Sequence, residues 1–281
     1  LKTQFGIYIK PHRGAPIQRL LSAVSRDCKT IYWYTYGPEY SKGDSFASSN
    51  VLVKVSRGIR MVGAAENVIY DSTFAHPAEV AVVRPLTSDY FGNSASWENG
   101  KWVFEALVHA HIPVDALDEG LLMSENLKQY KTIYISGSHI RADVSKKLAK
   151  WVEEGGVLYT SGWGMARDEA DTPMTELNSV LGLKSRGDME LWGAVHRYGA
   201  VGLPGITTEK EVPEETSKIT GSDPFGGSFN LLVGREILEP GPGTEILASY
   251  ADGKPAATMH RHGKGIAYVV GFYPGMEYAS D

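Results

Sequence analysis

Between residues 79 and 161, short apolar runs alternate with helical stripes. The runs are Glu79–Leu86 (Glu-Val-Ala-Val-Val-Arg-Pro-Leu), Pro113–Leu117, Thr132–Ser136 and Val157–Thr160. A helix is predicted over Trp97–His111, a short one closing at Leu127–Tyr130, and a strongly amphipathic one over Asp143–Glu154. Gly155-Gly156 ends the last with a C-cap signal. Strands that read as near-continuous apolar runs are covered on both faces, and their alternation with helices makes a parallel sheet. A doubly wound α/β domain is therefore the expectation for this stretch, with Ser161 at a strand-to-loop turn.

The rest of the chain is read against that centre. Upstream, Gln4–Ile9 is expected as a strand, Pro16–Arg26 as a helix, Thr30–Tyr36 as a strand and Val51–Ile69 as a helix. Such βα units leave the flanks of their parallel strands bare unless other strands cover them. Gln4–Ile9 and Thr30–Tyr36 should therefore pair with each other, outside the central sheet. Downstream, residues 184–244 are rich in Gly and Pro with weak periodicity, and irregular structure is expected there. Glu245–Tyr250, Ala256–His260 and Gly265–Phe272 follow as a β-meander turned by Asp252-Gly253 and His262-Gly263-Lys264-Gly265.

Composition narrows the functions. Lys plus Arg at 28 against Asp plus Glu at 33 gives a net charge of −5. That argues against broad binding to nucleic acid or an anionic membrane surface, which needs a basic face. The single cysteine, Cys28, excludes an internal disulfide and a Cys-rich zinc site and slightly favours a cytoplasmic location; it reads as a core filler. No apolar run reaches the ~20 residues of a membrane span. His109 and His111 are two apart on a helix and do not share a face, so they are poor metal ligands; no stretch has the spacing of a metal site, and no metal and no cofactor is expected. The chain opens on Leu1 and stops just after an apolar run, and a piece of a longer polypeptide is expected.

Three stretches then carry a resemblance. Thr132-Ile-Tyr-Ile-Ser, Leu148-Ala-Lys-Trp-Val-Glu-Glu-Gly-Gly156-Val-Leu, and Ala256-Ala-Thr-Met with Gly263-Lys-Gly-Ile-Ala-Tyr-Val-Val-Gly271 are similar to the trimerisation domain of family 42 β-galactosidases. That domain is flavodoxin-like, of the class I glutamine amidotransferase type. Upstream, Ile7–Pro16 and Ile31–Tyr36 with Gly37-Pro38-Glu39 resemble the last two βα units of the catalytic (β/α)8 barrel that precedes it. The resemblance implies a barrel end over residues 1–74 and the amidotransferase-like domain over 75–281. It also implies a carbohydrate ligand, a homo-oligomer (a trimer in that family) and retaining glycosidase chemistry.

Retaining glycosidases use two carboxyl groups about 5–5.5 Å apart. The family's nucleophile is a Glu ending the seventh barrel strand, whereas the matching strand here ends Tyr8-Ile9-Lys10-Pro11-His12. Glu39 is then the carboxylate near a barrel-strand end, where barrel enzymes place their chemistry. It is either a cleft carboxylate or a solvated loop residue. Lys10, His12 and Arg13 could bind an anion or simply open a loop, and Trp33 and Tyr36 could stack on sugar or pack the barrel. In the second domain, active amidotransferases carry a nucleophilic Cys at the elbow where this chain has Thr160-Ser161-Gly162. Ser161 with His139 of Ser136-Gly137-Ser138-His139 could form a vestigial pocket, or they are simply a tight turn and a loop histidine, and no glutaminase activity is expected. The rival readings are a non-catalytic carbohydrate-binding or scaffold protein, and a hydrolase using Ser161.

Overall fold

The computed structural model describes residues 6–9, 15–26, 28–33, 49–71, 78–92, 94–197, 204–208, 219–222, 225 and 231–280. The chain forms two compact units, Leu1–His76 and Pro77–Asp281.

In the smaller unit, strand β1 (Gly6–Ile9) is followed by α1 (Pro16–Val24), β2 (Thr30–Trp33), α2 (Ser49–Ala64) and α3 (Glu66–Asp71). Helix α1 starts with Pro16, whose fixed φ suits a first helical position. β1 and β2 pair in parallel, Gly6 opposite Thr30 through Ile9 opposite Trp33, as a sheet of their own among the described residues. Ile9, Leu20 and Ala23 form a small core with Val24, Cys28, Ile31 and Trp33 packed against it. The single helix expected over Val51–Ile69 is two, broken at Ala65.

The larger unit runs β3 (Val80–Arg84), α4 (Leu86–Tyr90), α5 (Ser94–His109), β4 (Val114–Asp118), α6 (Glu119–Ser124), β5 (Thr132–Ser136), α7 (Ala142–Glu153) and β6 (Val157–Ser161). Then come α8 (Asn178–Leu181), β7 (Leu183–Leu191), β8 (Gly193–Arg197), β9 (Pro204–Thr208), β10 (Ile219–Gly221) and β11 (Gly234–Pro240). β12 (Thr244–Tyr250), β13 (Pro255–His262), β14 (Gly265–Val270) and α9 (Pro274–Ser280) complete it. One sheet has the order β10-β12-β13-β14-β6-β5-β3-β4. Its members from β14 to β4 are parallel, and β10, β12, β13 and β14 are joined antiparallel.

Alternation along the strands fixes which helix covers which face. Ala81, Val83, Ile133, Ile135 and Leu158 point into a core with Leu122 of α6 and Val144, Leu148 and Val152 of α7. Val82, Tyr134 and Tyr159 point the other way, toward Gly100 and Val103 of α5. Helices therefore cover both faces. The parallel strands leave β3 for β4 on one side and for β5 on the other, so the order reverses between β3 and β5. Ligands in open α/β sheets collect beyond the carboxyl ends of the strands at such a point.

Two expectations are corrected. Leu86 ends no strand; Pro85 turns the chain and Leu86 opens α4. Residues 184–244 are not irregular throughout: β7 and β11 form a long antiparallel pair, and β8 pairs with β9. The buried side of the β7–β11 pair carries Arg186 against Glu236, so no apolar alternation announces it.

Candidate functional site

The carboxyl ends of β3, β5 and β6 bring together the polar side chains of the larger unit. β6 ends at Ser161, and Gly162, Trp163 and Met165 all have positive φ (58°, 62° and 58°). Two of these are not glycine, so the turn after β6 stores strain of about 1–3 kcal/mol per residue that its surroundings must offset. Part of the offset is visible. The backbone N–H of Trp163 donates to the Glu236 carboxylate, which is fully buried and also takes two bonds from Arg186, at 2.6 and 2.8 Å. Burial pushes the Glu236 carboxyl above its ordinary range, although the Arg186 guanidinium pulls it down.

The hydroxyl of Ser161 does not face a base. Asn99, fully buried in the middle of α5, donates from Nδ2 to Ser136 Oγ at 2.9 Å and to Ser161 Oγ at 3.0 Å. Its Oδ1 accepts from the Gly275 N–H at 2.7 Å, which ties α9 to the same hub. His139, expected opposite Ser161, is engaged elsewhere. Its Nδ1 lies 2.9 Å from Ser138 Oγ and its Nε2 2.9 Å from Asp171 Oδ1. Its ring stacks on Phe91 with centroids 3.9 Å apart and planes 5° from parallel. The His139 hydrogen bond, aided by Arg167, holds the Asp171 carboxyl below its ordinary value. The run Ser138–His139–Asp171 has a hydroxyl, an imidazole and a carboxylate in sequence, but it clamps two loops. Met165 N–H donates to Gly137 O and Arg167 N–H to Ser138 O, so the loops after β5 and β6 are stitched along their length.

A second buried carboxylate holds the other side. Glu119 of α6 accepts from the Thr87 N–H at 2.8 Å, from the Thr87 hydroxyl, and from the Arg141 N–H at 2.9 Å. These donors open α4 and α7, where a helix leaves its N–H groups unsatisfied and favours negative charge. Sequence reasoning missed Asn99, Glu119, Asp171 and Glu236. An Asn in mid-helix was the available signal, because it forms helices poorly unless its amide has work. Arg167 and Glu169 contribute too: Arg167 bonds Asp171, and Glu169 caps the Ala142 N–H at 2.8 Å.

Of the barrel-end candidates, Lys10, His12, Arg13, Tyr36 and Glu39 lie outside the described residues. Trp33 is placed: it packs on the α1 side of β2 against the Leu20 and Ala23 core and lines a cavity of about 370 Å3 with Cys28, Ile31 and Val62. Packing is thus the alternative its contacts describe. Tyr32, one residue earlier and 51% exposed, points from the opposite face of the strand. Among the described residues no group of His, Cys, Asp and Glu is arranged to hold a metal ion, and no helix is long and apolar enough to cross a membrane.

No family model matches the chain. Over 172 residues it is 27% identical to an exo-β-D-glucosaminidase of Pyrococcus horikoshii, covering 59% of this chain and 18% of that protein. In fold it matches a catalytic mutant of Gan42B, a GH42 β-galactosidase from G. stearothermophilus, with a TM-score of 0.73 at 15% identity, covering 97% of this chain and 41% of that one. The β-galactosidase of Bacillus circulans gives 0.69 at 16% identity, covering 99% and 44%. An exo-β-1,4-mannosidase from an Opitutaceae bacterium gives 0.59 at 17%, covering 96% and 46%. The chain therefore has the fold of part of a GH42 β-galactosidase. It spans less than half the length of these structures and under a fifth of the glucosaminidase.

Proposed function

We propose that this chain is part of a glycoside hydrolase-like protein that acts on or binds β-galactoside-type carbohydrate. Residues 1–74 are the last βα units of a (β/α)8 barrel, and residues 75–281 are a flavodoxin-like, class I glutamine amidotransferase-like domain. That domain serves oligomerisation, as a trimer by resemblance, and not amidotransfer. The observation that carries the reading is the fold likeness to GH42 β-galactosidases across 97% of the chain. Two features support it independently. β1 and β2 form a parallel pair with no further strand beside them among the described residues, which suits strands completed by others. Counted from β3, the parallel strands run 2-1-3-4-5, the flavodoxin-like order. Against amidotransfer stands Ser161, bonded to Asn99, where a thiolate and its base would be needed.

In this reading Glu39, Lys10, His12 and Tyr36 stand at the sugar-facing end of the barrel strands, with Glu39 a substrate-binding or catalytic carboxylate. The test is hydrolysis of p-nitrophenyl β-galactoside by a polypeptide that carries this chain together with the barrel strands preceding it. Turnover that Glu39→Gln weakens at least about fivefold is expected, the loss for a polar contact left unpaired. No turnover of the galactoside, glucosaminide or mannoside would remove the glycosidase assignment. The second reading, a non-catalytic carbohydrate-binding or scaffold protein, is favoured by Lys10 standing where the family places its nucleophile. It predicts saturable galactoside binding without turnover.

A further inference from the structure

A cavity of about 420 Å3 opens at the carboxyl ends of β3 and β4, beside the point where the strand order reverses. Its size is that of small-molecule sites, which run roughly 300–1,000 Å3. Helix α5 lines it with Trp97, Gly100 and Phe104, three residues that the helical repeat places on one stripe. Val82, Pro85, Ala116 and Leu121 supply further apolar wall.

One feature of this cavity costs the fold stability and returns none of it in packing. Gly100 sits in the interior of α5, where glycine is the poorest residue short of proline, yet a Cβ there would meet nothing within 4 Å. Space for at least a methyl group is thus left open on the helix wall of the cavity. Ser88 also lines the cavity, but its Oγ is fully buried beside Gly137 and presents no surface to a ligand.

The rim carries charge, but the charge is internally matched. Arg84 bonds Asp89 at 2.7 Å and lies over the Trp97 ring at 3.7 Å, Lys101 pairs with Glu98 at 3.3 Å, and Asp118 caps the Leu121 N–H at 2.7 Å. Nothing there calls for a charged ligand or an oppositely charged protein face.

We propose that this cavity is a binding site for a small, neutral, largely apolar aromatic molecule held against Trp97 and Phe104. The site is independent of the barrel and of the glycosidase reading, since every lining residue belongs to the larger unit. The test uses 2-naphthol, a flat neutral phenol, with the 281-residue chain and calorimetric or NMR titration. One-to-one saturable binding is expected. Gly100→Leu should weaken it at least about tenfold while the melting temperature holds or rises, because a helical glycine is replaced and a void filled. Should Gly100→Leu fail to fold, Ala116→Leu fills the cavity from the β4 side and should have the same effect on binding. Absence of saturable binding, or an affinity that the cavity-filling variant leaves unchanged, overturns the proposal. So does a change of oligomeric state in that variant without naphthol binding by the parent chain, which would mean that another polypeptide occupies the cavity.

Discussion

The carboxylate of Glu119, on α6, reaches the first turn of α4 and accepts both the backbone N–H and the hydroxyl of Thr87, each at 2.8 Å. With the Arg141 N–H at the start of α7 as a further donor, one buried side chain closes two helix N-termini at the sheet's carboxyl edge. Helix starts need such acceptors, and a charged one is worth more than a neutral one.

Glu119→Ala should therefore destabilise the chain by about 3–5 kcal/mol, since several buried donors lose their partner at once. Glu119→Gln keeps one carbonyl acceptor and should cost about half as much. Urea unfolding of both variants measures the difference, and equal, small losses would mean that water replaces the carboxylate without penalty.

At the turn after β6, the prediction is chemical. Ser161 Oγ is held by Asn99, and the ring nitrogens of His139 are held by Ser138 and Asp171. Neither the parent chain nor Ser161→Cys should release ammonia from glutamine, because a nucleophile without a base in reach is not activated. Ammonia release that disappears on Ser161→Ala would revive a Ser161 hydrolase. Asn99→Leu, by contrast, should cost about 2–3 kcal/mol, for it strands the Gly275 N–H in the interior.

The four parallel strands β3 to β6 were legible because helices cover both their faces, which makes them apolar runs bounded by turns. The pairing of β1 with β2 was legible for the complementary reason: two parallel strands need each other before anything else. What the sequence hides is polar burial. Glu119, Asn99 and Glu236 stand in stretches where hydropathy reads a carboxylate or amide as solvated. Their partners lie 22 to 176 residues away in sequence. The same blindness erased β7, whose Arg186 faces the protein interior only because Glu236 waits there. The expected meeting of Ser161 with His139 failed because loop geometry, not strand order, decided it: Phe91 and Asp171 capture the imidazole.

Gly156 illustrates a constraint that a C-cap reading understates. A Cβ at this position would lie 2.3–2.6 Å from the Trp151 indole, whose Nε1 donates to Leu127 O at 3.0 Å. Gly156→Ala should push the indole aside, break that bond and cost about 2–3 kcal/mol, near the range for overpacking. The indole emission should shift to the red with it. A variant with parental stability and emission would show that α7 slides instead.

The last prediction concerns the ion pair beneath the β6 turn. Glu236 is fully buried, Arg186 is 9% exposed, and the pair is bidentate at 2.6 and 2.8 Å, yet Arg186 Nη1 has no hydrogen-bond partner. Removing one partner leaves an uncompensated buried charge, so Glu236→Leu alone should cost about 3–5 kcal/mol, whereas Arg186→Met with Glu236→Leu should be near neutral or stabilising. The pH dependence separates the pair from mere packing. Burial raises the folded-state pKa of Glu236 above its ordinary 4.5. In the window that opens at the ordinary value and closes at the raised one, the folded chain therefore holds more protons here than the unfolded chain. Stability from this site is then complete below the window and falls as pH rises through it. The parent chain should thus lose stability relative to the double variant as pH climbs from about 4 toward neutrality. A difference between them that is flat with pH, or that grows in favour of the parent, would mean that Glu236 is ionised in the fold as readily as in water, with Arg186 fully offsetting its burial.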